Sequence, residues 1–202
     1  MIALTRATSA ARLCVAVTAI AWCLCAVPAR AMTVVNRSFP ELVARAEQIV
    51  VGTVTDVREG PDDRGAPCTW VTFADLVVLK GEVGSTLTLR LFGGASGPNA
   101  VRIPDMPAFT AGQRLVLFVA GNGRDICPLV GVWQGRFQVR HDDALGVDVV
   151  EDHDGRPVTG RSGPNLSRAA RGERGAALTL DEFLSLVRDE MARPSVPADT
   201  AP

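Results

Sequence analysis

Short apolar runs separated by glycine turns constrain this chain more than any other feature. Residues 86–92 (TLTLRLF) alternate at period two and put Leu87, Leu89 and Leu91 on one face, the pattern of a half-buried strand. Residues 49–57 (IVVGTVTDV), 68–80 (CTWVTFADLVVLK), 114–120 (RLVLFVA), 132–140 and 146–150 read as further strands. Gly52 interrupts the first of these and predicts a bulge or a close backbone approach. Asp154-Gly155 is a hairpin-turn signal. Many short strands at regular spacing predict an all-β domain with minor helix, a small antiparallel β-barrel or sandwich.

Two helices flank the strands. Ser38-Phe39-Pro40-Glu41 is a capping box with proline in the first turn, so a short helix is expected over about 39–47. Thr179-Leu180-Asp181-Glu182 repeats the box. Leu180, Phe183, Leu184, Val187 and Met191 then form one apolar stripe along a helix at 178–193. That stripe would complete the core or meet a partner. Residues 159–177 lose all periodicity and read as a flexible linker or loop, and the prolines of 194–202 mark a disordered tail.

The first 31 residues carry a secretory signal. Arg6 and Arg12 form a basic start, 13–27 is an apolar run, and Ala29-Arg30-Ala31 supplies the small residues that signal peptidase needs. Cleavage is expected after Ala31. The run is short for a transmembrane helix, which needs roughly 20 residues, and Pro28 ends it. Trp22 and Leu24 precede Cys23 and Cys25, where a lipoprotein requires a small residue. The expected location is therefore periplasmic or secreted, with no stable membrane insertion after cleavage. The remaining domain spans 32–158, followed by the linker and the second helix.

The signal holds three arginines and no acid. Of the 21 basic residues 18 remain, against 22 acidic ones, a net charge of −4. Such a balance argues against nucleic acid as a partner. Cys14, Cys23 and Cys25 leave with the signal, so Cys68 and Cys127 are one pair in an oxidising compartment and a disulfide between them is expected. A redox pair is the alternative, but such pairs usually sit as C-x-x-C.

Both histidines lie in one acidic stretch. His141, His153, Asp152 and Asp154 are the candidate ligands for a divalent metal. Pairing of the strands around Leu145 and Val150 would bring the two histidines to neighbouring ends. The same residues also read as a solvated Asp-Gly turn. Gly94-Ala95-Ser96-Gly97 has a serine between glycines but lacks the strand-turn-helix context of a nucleophile elbow. Asp62-Asp63 and Asp142-Asp143 sit in polar loops. No catalytic residue, cofactor or resident metal is assigned.

Ile49-Val50-Val51-Gly52-Thr53-Val54 after a short helix, Val77-Val78-Leu79-Lys80-Gly81, and Gly112-Gln113-Arg114-Leu115-Val116-Leu117-Phe118 occur in an order that resembles the netrin/tissue-inhibitor-of-metalloproteinase (NTR-like) module. With Gln134-Gly135-Arg136-Phe137, the same pieces also resemble a group of uncharacterised exported bacterial proteins. The resemblance spans about 39–139. It implies an OB-like five-stranded barrel with accompanying helices and a bias toward protein binding. The inhibitors of that module act through an N-terminal cysteine, whereas cleavage here would leave Met32, and their dense disulfides are missing. The expectation is an exported, non-enzymatic binding module for another exported protein, a protease being one such partner. The alternatives are a metal-dependent or hydrolytic enzyme using His141 and His153, and a structural cell-envelope protein.

Overall fold

The structure is a computed structural model that describes residues 35–97, 99–173 and 177–193. The signal segment and the 194–202 tail lie outside the described residues. Helix α1 is Phe39–Arg45 and α2 is Leu180–Ala192. The strands are β1 (Gln48–Pro61), β2 (Pro67–Lys80), β3 (Leu87–Phe92), β4 (Gly94–Ser96), β5 (Asn99–Val101), β6 (Arg114–Val119), β7 (Arg136–Asp142), β8 (Val147–Glu151), β9 (Val158–Ser162) and β10 (Asn165–Arg168).

Six strands form one antiparallel sheet in the order β3-β2-β1-β6-β7-β8. Strands β1, β2 and β3 are joined as consecutive hairpins. The chain then returns through a long connection, which carries the β4–β5 hairpin, to lay β6 beside β1. The spatial order β6-β1-β2-β3 is that of a Greek key.

Both faces of this sheet are covered at its centre, which is why β6 after Arg114 and the Ile49–Val54 half of β1 are buried almost throughout. Ile49, Val51, Val116, Phe118, Phe137 and Val139 face one core, where Phe39, Leu42 and Val43 of α1 and Phe183, Leu184 and Val187 of α2 meet them. Phe183 packs 6.2 Å from Phe39 and 4.9 Å from Phe137, ring centre to ring centre. The stripe of α2 is thus buried within this domain from Leu180 to Val187, and Met191 is exposed. Val50, Val71, Phe73, Leu89, Leu91, Leu115 and Leu117 face the second core on the other side.

Gly52 makes the close approach expected of it. A Cβ there would lie 2.7 Å from Leu76 Cδ2. The register slips between Val51 and Thr53, and Asp75 takes a positive φ of 53° opposite the slip.

The connection after β6 ties two strands together. Val130 N–H donates to Phe118 O and Ala120 N–H to Pro128 O, on β6 and its extension. A few residues earlier, Phe92 N–H of β3 donates to Ile126 O. Where the sequence predicts a linker, Val158–Ser162 and Asn165–Arg168 pair as a hairpin that buries Val158 and Leu166 against the helices. The residues between them, Gly163 and Pro164, form the turn.

Candidate functional site

A groove of about 490 Å³ opens at one end of the β1–β2–β3 layer. Strand pairing builds its floor: Val57 lies opposite Val71, Glu59 opposite Thr69, and Thr69 opposite Leu91. The β4–β5 hairpin and the irregular segment 102–109 form its walls, with Ile103, Met106 and Phe109 supplying apolar surface. Phe109 stands edge-on to Phe73 with ring centres 5.9 Å apart, which fixes that wall to the core.

The hairpin is pinned at its root. Thr69 Oγ1 donates to Gly93 O at 2.8 Å, and Ala95 N–H donates to Glu59 Oε2 at 2.9 Å. Gly94 must be glycine here: its φ is 135°, and a Cβ would come within 2.9 Å of Thr69 Oγ1 and 3.1 Å of Cys68 O. Glu59 is therefore held by a backbone donor, and Arg102 is the exposed cation of the rim. Gly94 to Gly97 form one strand and the turn of this hairpin, with no helix after them, so the backbone is not that of a nucleophile elbow.

The two histidines are not brought together. The β7–β8 hairpin turns at 143–146, so His141 sits beside Asp148 at one end of β8. His153 follows the other end, about 15 Å further along the strand direction. The expected pairing of strands around Leu145 and Val150 does not form, because Leu145 lies in the turn between Asp142 and Val147 and Val150 pairs with Val139 instead. His141 Nδ1 lies 2.9 Å from Asp148 Oδ1, whose other oxygen accepts from Arg114 at 2.6 Å. This is an exposed cross-strand row.

Asp152, His153 and Asp154 do place three ligand atoms within 4.8 Å of one another. The carboxylates already have partners. Asp152 Oδ1 accepts from Asp154 N–H (2.9 Å) and Arg156 N–H (3.0 Å), closing the Asp-Gly turn, and Oδ2 pairs with Arg168 at 2.7 Å. Asp154 pairs with Arg156 at 3.3 Å. The His153 ring stacks on Trp133 with centres 4.0 Å apart. Burial there holds the imidazole below its ordinary pKa, despite Asp154 and Asp152 beside it. A turn stapled by arginines is a poor fit to a divalent cation.

Asp62 and Asp142 have structural work too. Asp62 accepts from Ala66 and Arg64 N–H and from Arg90, and Asp142 caps the 142–146 turn through Ala144 N–H. Cys68 and Cys127 are both free thiols, so the expected disulfide is not formed. The register gives the reason. Cys68 shares a face with Trp70 and Arg90, and Arg90 Nη1 lies 3.3 Å from its sulfur. Cys127 packs into the second core, on the other face of the same strands. Burial pushes its thiol up to about 11.

Comparison of the chain with protein-family models, with curated proteins and with solved structures finds no match in any of the three.

Proposed function

We propose that this chain is an exported, non-enzymatic binding module that receives a segment of another exported protein in the groove between the β4–β5 hairpin and residues 102–109. The observation that carries this reading is the groove itself. Val57, Ile103, Met106 and Phe109 line a cleft whose rim carries Glu59 and Arg102, a lining suited to apolar side chains with a polar frame. By contrast, the carboxylates beside His153 are taken up by turn N–H groups and arginines, and Asp148 beside His141 is held by Arg114.

The OB-like architecture belongs to the same proposal. It is supported by the Greek-key order β6-β1-β2-β3 and by residues 122–130, which hydrogen-bond to β3 at one end and β6 at the other. Export is supported by the signal pattern of residues 1–31. Mouths of small barrels are common ligand sites.

The test is capture from the source organism's exported fraction with residues 32–202 as bait, compared among three forms. Wild type and a His141→Ala/His153→Ala variant should retain one dominant exported protein, and Ile103→Asp should lose it. Loss of capture in the histidine variant with retention in Ile103→Asp would overturn the reading.

A further inference from the structure

Arginines whose side chains are partly withdrawn from solvent normally meet a carboxylate, because burying an unpaired cation is costly. This protein follows that rule repeatedly. Arg90 pairs with Asp62, Arg161 with Glu190 and Arg168 with Asp152. Arg136 breaks it. It stands on β7 opposite Leu117, on the face of the sheet that carries the second core, and it is half-buried. Among the described residues no carboxylate lies within 4.0 Å of it.

Its polar contacts are correspondingly thin. Nε is buried and has no acceptor. Nη2 donates to Gln113 Oε1 at 3.3 Å, an oxygen that already accepts from Thr110 N–H at 3.0 Å. The guanidinium carbon lies 5.4 Å from the centre of the Phe109 ring, which orients the plane without satisfying any N–H. The backbone fixes the position from which this side chain projects. Gly135 just before it is seated so closely that a Cβ would lie 2.7 Å from Val130 O. A guanidinium presents five donors in a planar fork that matches a carboxylate. Here that fork is positioned, partly desolvated and short of acceptors.

We propose that Arg136 is the cationic anchor of a carboxylate-binding site bordered by Phe109 and Gln113. The ligand is a carboxylate borne on an apolar group, whose flat or aliphatic part lies against the Phe109 side of the site. It reaches the protein as a free small acid or as an acidic side chain of a bound segment. The site is independent of whether the neighbouring groove binds protein.

The experiment uses residues 32–202 labelled with 15N-arginine, the Arg136 Nε–H signal being assigned by its contacts with the Phe109 ring. Sodium benzoate is titrated in, with benzamide and sodium chloride at matched ionic strength as controls. An acetylated glutamate-rich peptide at equal carboxylate concentration distinguishes the two sources by which saturates first. The expected result is a saturable shift of the Arg136 signal with benzoate or the peptide and none with benzamide or chloride. No shift, or an equal shift with the controls, overturns the site and assigns the unsatisfied Nε to water. Melting provides a second readout. Arg136→Met is expected to melt no lower than wild type and to lose the benzoate-induced rise in midpoint. A midpoint several degrees lower would make Arg136 a strut for Phe109 and contradict the proposal.

Discussion

The side-chain amide of Asn122 takes the place of a neighbouring strand at the edge of β3. Its Oδ1 accepts from Arg90 N–H at 3.0 Å, while its Nδ2 donates to Thr88 O at 2.8 Å. An edge strand with open N–H and C=O groups invites pairing with other chains. Asn122 closes two of those groups, and Ile126 O accepts from Phe92 N–H just beyond. Asn122→Leu removes both bonds and leaves a strand donor and acceptor short of partners. The expected loss is about 1–3 kcal/mol in urea unfolding, with faster aggregation on heating. An unchanged midpoint would show that water serves this edge equally well.

Gly135 and Gly60 make opposite predictions. A Cβ on Gly135 would sit 2.7 Å from Val130 O and 3.0 Å from Phe118 O, both backbone atoms that cannot swing aside. Gly135→Ala should cost about 1–3 kcal/mol by overpacking. A Cβ on Gly60 meets nothing within 4 Å, so Gly60→Ala should be neutral or slightly stabilising. Chemical denaturation of the pair decides it, and equal effects would contradict the packing described for the Val130–Phe137 segment.

The cysteines predict a thiol count. With Cys68 and Cys127 on opposite faces of the β2–β3 layer, denatured residues 32–202 should titrate with two thiols and reductant should leave the melting midpoint unchanged. In the folded state at pH 8 Cys127 should alkylate slowly, since burial raises its pKa to about 11. Two missing thiols and a midpoint that falls on reduction would establish a bridge instead.

His153 predicts an optical titration. Burial against Trp133 lowers its pKa from 6.5, so the folded state takes up this proton less readily than the unfolded one. Above pH 6.5 the residue has no effect on stability. As pH falls below 6.5 the unfolded state protonates first, and stability declines until the folded pKa is passed. Tryptophan fluorescence should therefore titrate with a midpoint below 6.5, and His153→Gln should abolish the step. A midpoint above 6.5 would mean that Asp152 and Asp154 outweigh burial.

Legibility in the sequence followed burial. Strand β3 shows clean alternation because only Leu87, Leu89 and Leu91 face a core. Strand β6 is a continuous apolar run because cores lie on both sides of it. The helices were readable from Ser38 with Glu41 and from Thr179 with Glu182, whose reciprocal bonds are all present. Strands β9 and β10 were not readable, since only Val158 and Leu166 are buried in them. The turn residues Gly163-Pro164 were the one local hint. The groove was hidden for another reason. Its lining runs from Val57 to Phe109 and is assembled by strand register and a proline-rich segment with no period. The histidines misled because closeness in sequence is undone by the length of β8.

Site-specific photo-crosslinking reports where on the domain an exported partner docks. A photoreactive residue placed at Ala108 in the groove wall, and separately at Ser185 on α2, is exposed to the source organism's exported fraction. One dominant crosslinked protein is expected from position 108 and none from position 185. A dominant product from 185 alone would contradict the groove as the binding surface.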